Sequence, residues 1–590
     1  MENDAWRKWI RRYGSRLVLM IWLATTVAAI AGMYHLWWTR ERVMYFGKDV
    51  YEQRVEVFRR AGISRTILDE SGKITASWPR DARYEARGNH NQLSYIKYLL
   101  IPRIPDGSAS FSMEEKDGRL LYRPVLKGTN SSEETRPSIL GFLLSLFLLS
   151  GIAALLGVFP ILTRLSVPER IGLSVFSLVF AAMCSRAVLQ DAAPGFYLIA
   201  AAGGSGWLVH LLHCRRGKAD VHQGCQPGES TPAIPFGIGF PKRIVPLAVP
   251  GLIIIAVSVW SILMSVIVVP DDWDAWAIWG AKAKVLALGI GPLKDVTFFA
   301  HADYPLLWPS VWAFSGWCAG GWEEHWSRAW GPVFMLLCAW EIGVVIRRLT
   351  GWAAGGVLTA ALFLSVPMVP LLASWSYAEA PLWLMVACSF GRLLLWREEK
   401  GAQHLLIAAL FAAAAAYTKN EGLFFTAVCF AWLIAAAPRD IWTVIRWYAI
   451  PAFLLYLPWF LWVRGTLHLG ARAFDGFQGG ASGVARALER APAALHSVGV
   501  MWLDVRQWNL VVWLVLALSV WHLLRGRGRR LDLFVPLLLL PAFFVINVFH
   551  AEDVGLIMSS WNRLTVQTLP MFLMVLGAHY LPTALGRNRS

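Results

Sequence analysis

Long apolar runs separated by short polar segments set the pattern of this chain. A helix rises 1.5 Å per residue, so about 20 apolar residues are needed to cross a hydrocarbon core of about 30 Å. Segments that meet or approach that length lie near 16–37, 138–162, 170–190, 195–213, 247–269, 326–347, 352–371, 380–396, 403–418, 421–437, 445–463, 499–523, 531–549 and 564–582. The pattern predicts an all-α polytopic membrane protein of about 14 transmembrane helices. Two stretches interrupt it. Residues 38–137 mix charges with the turn signals Ser71-Gly72 and Asp117-Gly118 and with short alternating stretches such as Arg119-Leu120-Leu121-Tyr122, which predicts a small extracytoplasmic α+β domain. Residues 214–246, with Gly224, Pro227, Gly228, Pro232 and Pro235, predict a cytoplasmic linker. The chain then divides into an uncleaved anchor (1–37), an outer domain (38–137), three membrane helices (138–213), the linker, and a membrane module (247–590).

Composition agrees. Of 590 residues, 56% are hydrophobic and 16% charged, which excludes a soluble globule. The net charge of +16 does not imply nucleic acid, because the Lys and Arg residues sit in short segments between apolar runs. Arg7, Lys8, Arg11 and Arg12 precede the first run; Arg215, Arg216, Lys218, Lys242 and Arg243 precede the fifth. Arg347, Arg348, Arg397, Lys400, Arg439, Arg525, Arg527, Arg529, Arg530, Arg587 and Arg589 fall in every second loop thereafter. The positive-inside rule puts these loops and both termini in the cytoplasm, which predicts a multi-pass protein of the plasma (inner) membrane. The cysteines lie mostly in apolar runs or a basic loop, so no disulfide framework follows. His213, Cys214, His222 and Cys225 have no strong zinc spacing.

Charges that topology does not explain gather in the outer loops. Pro270-Asp271-Asp272-Trp273-Asp274-Ala275-Trp276-Ala277-Ile278-Trp279 leads to Lys282, and His301-Ala302-Asp303-Tyr304 follows. Later outer segments carry Tyr377-Ala378-Glu379, Thr418-Lys419-Asn420-Glu421 and Trp561-Asn562-Arg563. Each has a bland reading: Asp271 and Asp272 as helix caps, Trp273, Trp276 and Trp279 as indoles of an interfacial helix, the cations as snorkelling side chains. Lys419, Arg563 and Arg328 nevertheless run together against the charge bias of the other loops. Carboxylates beside isolated cations suit a lipid-linked phosphate. The cations would bind phosphate and stabilise the charge growing on it, and a carboxylate would deprotonate an attacking hydroxyl. Phosphate is a good leaving group, so one base suffices, and a single displacement inverts the anomeric centre, unlike paired-carboxylate hydrolysis.

From about residue 247 to 582 the sequence resembles the GT-C glycosyltransferases that use polyprenyl-phosphate sugars, the group that includes protein O-mannosyltransferases and lipid A aminoarabinose transferases. Asp271-Asp272-Trp273-Asp274 stands where the family has an acidic motif in its first outer loop, and His301-Ala302-Asp303-Tyr304-Pro305-Leu306-Leu307 is similar to a following family segment. Arg328, Glu379, Thr418-Lys419 and Arg563 match further family positions. The family's Asp-Glu pair reads Asp271-Asp272 here, and its double proline is absent. The resemblance implies juxtamembrane helices in the first outer loop and an active site on the extracytoplasmic face. It implies a polyprenyl-phosphate sugar donor and a saccharide, lipid or protein acceptor. The candidate base is Asp274, with Asp272 and Asp271 as alternatives; the candidate substrate-binding set is Lys282, His301, Asp303, Tyr304, Arg328, Glu379, Lys419, Glu421 and Arg563. No cofactor is specified, and a divalent metal is left open. A transporter or flippase of lipid-linked saccharides, or an inactive homologue, are the competing readings.

Overall fold

The computed structural model describes residues 15–36, 83–87, 104–105, 111–116, 119–122, 139–158, 164–189, 192–224, 245–268, 272–289, 301–466, 480–525, 530–550 and 554–584. Asp271 lies outside these, as do the side chains of Cys214 and Cys225. The helices are α1 Ser15–Leu36, α2 Ile139–Leu156, α3 Val167–Leu189, α4 Ala193–Gly224, α5 Val245–Ile267, α6 Ala281–Ala287, α7 Leu307–Cys318, α8 Trp330–Thr350, α9 Ala353–Leu364, α10 Met368–Ser374, α11 Glu379–Glu399, α12 Ala402–Ala416, α13 Asn420–Ala436, α14 Ile450–Leu461, α15 Gly480–Leu503, α16 Val511–Arg525, α17 Phe534–His550 and α18 Val554–Ala584. Between α1 and α2 a four-stranded sheet has the order β2-β1-β3-β4, formed by β1 Arg83–Arg87, β2 Ile104–Pro105, β3 Phe111–Lys116 and β4 Arg119–Tyr122. β3 and β4 pair antiparallel with Lys116 opposite Arg119, so Asp117-Gly118 is their connection. The rest of the expected outer domain lies outside the described residues.

Every apolar run carries helix, yet not every run is a span. Among the described residues six helices are long and apolar enough to cross a membrane, near 139–156, 167–185, 248–267, 326–350, 438–465 and 531–549, and a seventh span results if α9 and α10 are taken as one. The expected count of about 14 is therefore not confirmed. Several of the expected runs are not single long helices. α9 and α10 meet at a bend of 68°, where Pro367 supplies no amide hydrogen to continue the helix. α12 and α13 have 15 and 17 residues, about 22 to 26 Å of helix. The run expected near 499–523 is three elements: α15 ends at Leu503, a single turn Val505–Trp508 follows, and Asn509, at a positive φ of 54°, turns the chain into α16.

α11 organises the bundle. All its residues from Glu379 to Trp396 are buried, so it is surrounded by protein, chiefly α8, α12 and α18, and can carry Arg392 where a lipid-facing helix could not. At one end of the bundle Arg392 is bonded to Glu169 of α3, and its Nη2 donates to the Arg164 carbonyl at 3.0 Å. Ser166-Val167-Pro168-Glu169 starts α3 as a capping box, with the Ser166 amide donating to Glu169 Oε2 at 2.6 Å and the Glu169 amide to Ser166 Oγ at 3.2 Å. Ser166 Oγ also donates to Glu341 of α8. The helices before residue 240 are thus bonded into the later module. The opposite end carries the outer-loop charges. There α7 starts and ends on one side: the Leu307 amide donates to the Tyr417 carbonyl at 3.0 Å, and Trp312 Nε1 to the Glu323 carbonyl at 3.2 Å, just before α8. At 12 residues, α7 is about 18 Å long and cannot span.

Candidate functional site

The site is assembled where α11, α13 and α18 begin, below the loop before α6. Glu379 opens α11, Lys419 stands in extended conformation just before α13, Glu421 lies in the first turn of α13, and Arg563 is on α18. The α12–α13 hairpin is tight because the helix backbones touch. A Cβ at Gly422 would lie 2.1 Å from the Ala415 carbonyl oxygen, so only glycine lets the pair close and bring Lys419 inward.

These side chains form one continuous ion-pair chain. Arg563 Nη1 donates to Asp274 Oδ2, and its Nε lies 3.8 Å from Glu379 Oε1. Lys419 Nζ reaches the same Glu379 oxygen at 2.9 Å and Glu421 Oε1 at 2.8 Å. The Arg563 guanidinium lies 5.0 Å from the centre of the Tyr377 ring. Asn420 Nδ2 donates to Asp303 Oδ2 at 2.9 Å, which ties the 301–304 turn to the hairpin. Asp274 keeps 22% of its side chain exposed and Glu421 20%, whereas Glu379 keeps none.

The electrostatics follow from this pairing. Burial pushes the Asp274 carboxyl up, but the Arg563 guanidinium beside it, aided by Lys419 and His301, outweighs that and holds it below its usual range. Burial works against the Lys419 ammonium, and Glu379 and Glu421 more than compensate, so the amine stays charged. Burial raises the phenols of Tyr304 and Tyr377, and both remain hydrogen-bond donors at neutral pH.

Other candidates act as supports. Asp272 Oδ1 accepts the Asp274 amide at 3.3 Å, as a capping aspartate does, and bonds the Tyr377 hydroxyl. Lys282 is fully buried, and its ammonium donates to the carbonyls of His301 and Tyr304, 5.9 Å from the rings of Trp279 and Tyr304. It pins the turn in which His301 takes a positive φ of 51° and stacks on Tyr304. Arg328 is likewise buried and donates to Ser376 Oγ and to the carbonyls of Val268 and Ser374. With Trp308 Nε1 on the Ser376 carbonyl at 2.7 Å, it fixes Ser376 at a φ of 65°, a conformation costing on the order of 1 kcal/mol. Trp276 and Trp279 are buried in protein through a π-helical turn, Ala275–Gly280, so the reading of these indoles as headgroup anchors is corrected.

Chain-recognition comparisons add one structure. No family model matches the chain, and no curated protein matches it. The chain is similar to the crystal structure of ArnT from Cupriavidus metallidurans bound to undecaprenyl phosphate, with 15% identity and a TM-score of 0.39. The match covers 58% of this chain and 62% of that one, less than two thirds of its length.

Sequence reasoning did not single out Tyr377, Asn420 or Asn562 as site residues. Asn562 Nδ2 donates to Gln507 Oε1 at 3.1 Å. Its Oδ1 is buried without a hydrogen-bond partner, as are Glu379 Oε2 and Glu421 Oε2. The free oxygens of Glu379 and Glu421, on carboxylates that pair with Lys419, suit a ligand that brings hydrogen-bond donors as well as negative charge. Among the described residues no group of three or more His, Cys, Asp or Glu side chains is arranged to hold a metal ion.

Proposed function

We propose that the protein is a multi-pass glycosyltransferase of the plasma (inner) membrane that moves a sugar from a polyprenyl-phosphate donor to an acceptor on the extracytoplasmic face. The observation that carries this reading is the junction of Asp274, Arg563, Glu379 and Lys419 at one end of the bundle, drawn from segments far apart in sequence. Arg563 and Lys419 bind the phosphate, and the unpartnered oxygens of Glu379 and Glu421 accept hydroxyls of the sugar. Asp274 takes the proton of the acceptor hydroxyl as its oxygen attacks the anomeric carbon, the sugar–phosphate bond breaks, and the configuration inverts. Lys282 and Arg328 hold the loops, with Asp272, His301, Asp303 and Tyr304, in place. The acceptor is a saccharide, lipid or protein. A charge cluster at one end of the helices favours this over a transporter, for which a midplane site is expected.

The test is purified protein in proteoliposomes with a polyprenyl-phosphate sugar, scored for sugar released onto an acceptor or water. Arg563→Ala should cripple turnover and donor affinity, and Arg563→Lys should recover part, because only arginine presents a planar fork to two phosphate oxygens. Movement of intact lipid between leaflets with no cleavage across a broad donor and acceptor panel would establish the transporter instead.

A further inference from the structure

Both cations assigned to the donor phosphate are already engaged. Arg563 is bonded to Asp274, and Lys419 lies between Glu379 and Glu421. A phosphate can take Arg563 only by competing with a carboxylate, and the carboxylate it competes with is the candidate base. Arg563 is also tethered independently of Asp274, by Glu379 at 3.8 Å and by the face of the Tyr377 ring. It can therefore turn from one anion to the other without leaving the site.

We infer that the donor phosphate unmasks the base: its arrival draws the Arg563 guanidinium off Asp274, so that the carboxylate is released to accept a proton only when a lipid-linked donor is in place. The inference rests on the function proposed above and adds an order to it, donor before acceptor. The Arg563–Asp274 pair is a latch. Without donor, Asp274 is a poor proton acceptor because the guanidinium stabilises its ionised form; with donor, that stabilisation passes to the phosphate. The arrangement disfavours acceptor activation in an enzyme holding no sugar phosphate.

A reciprocal consequence makes this testable: if phosphate and Asp274 compete for one guanidinium, removing the charge of Asp274 must tighten phosphate binding while it stops transfer. The probe is undecaprenyl phosphate titrated into the full chain in nanodiscs, with occupancy read by native mass spectrometry. Asp274→Asn should bind it about three- to tenfold more tightly than wild type, the range expected for removing one partly exposed competing ion pair. Asp274→Glu, which keeps the charge, should not. The double variant Asp274→Asn with Arg563→Gln should bind no more tightly than Arg563→Gln alone. Equal or weaker binding by Asp274→Asn would overturn the latch, and so would an equal gain in the Arg563→Gln background, since the effect would then be loss of negative charge in general. Wild type that fails to bind undecaprenyl phosphate at all would overturn the phosphate reading, and the latch with it.

Discussion

Arg563 of the last helix is bonded to Asp274, 289 positions earlier, and the same guanidinium reaches toward Glu379. One contact thus closes the module on itself, joining the segment before α6 to α18 through a charge-assisted bond of the kind that fixes geometry as well as energy. It also ranks the candidate bases. Asp274 is partly exposed and faces the cations, whereas Asp272 spends its carboxylate on the Asp274 amide and the Tyr377 hydroxyl.

Asp274→Asn should therefore lower the transfer rate by about 10²- to 10⁴-fold, the usual worth of a positioned base, because the amide keeps the size but cannot take a proton. Asp272→Asn should cost less, since an amide oxygen can still accept the capping bond. Initial rates in proteoliposomes decide between them. A larger loss in Asp272→Asn than in Asp274→Asn would move the base along the loop.

The pairing also sets a pH dependence of stability. Asp274 has a folded pKa below its unfolded value of about 3.9, so its contribution is fully present above that value and is lost as pH falls through the folded pKa. Lys419, raised above its unfolded value of about 10.4, contributes fully below it and loses that only in alkali. Melting curves of the detergent-solubilised protein between pH 5 and 3 should show a smaller acid loss for Asp274→Asn than for wild type. Equal losses would mean the ion pair is not holding the loop.

Much of this was legible in the sequence because outer cations contradict the positive-inside pattern, and that contradiction needs no tertiary information. Lys419 and Arg563 were found on that signal, Asp274 and Glu379 as carboxylates in segments that resemble the family's, and the four meet in space. Arg328 and Lys282 carried the same signal but bond mainly backbone carbonyls, because a charge in an outer loop looks alike whether it faces a ligand or a carbonyl. The expected count of about 14 spans is not confirmed, since a protein-buried helix such as α12 is as apolar as a lipid-facing one while being shorter than the bilayer. The start of α3 was missed by a turn, although Ser166-Val167-Pro168-Glu169 is a capping-box pattern with proline in the first turn.

Sidedness can be checked directly. Single cysteines at 304, 375 and 420, which are not buried, should react with a membrane-impermeant thiol reagent in intact cells, and those at 348, 398 and 439 only after permeabilisation. Positions 304 and 320, on either side of α7, should behave alike, since both ends of that helix lie on the side of the site. Opposite labelling of 304 and 320 would mean that α7 crosses the bilayer and that every later loop has been assigned to the wrong face.

The pair at the other end of the bundle tests whether the helices before residue 240 are an integral part of the module. Glu169 and Arg392 are almost completely buried, and Glu169 also accepts the Ser166 amide that starts α3. Removing Arg392 alone leaves a buried carboxylate without its counter-ion, which costs about 3–5 kcal/mol, whereas removing both charges together costs far less. Arg392→Leu should therefore lower the melting temperature sharply. Adding Glu169→Gln, which keeps the capping bond and discards the charge, should restore much of it. Donor affinity in the rescued protein should equal that of wild type, because the pair lies at the opposite end from Asp274 and Arg563. Additive losses in the double variant would show that the two side chains do not act on each other, and α3 would then be joined to α11 by apolar packing alone.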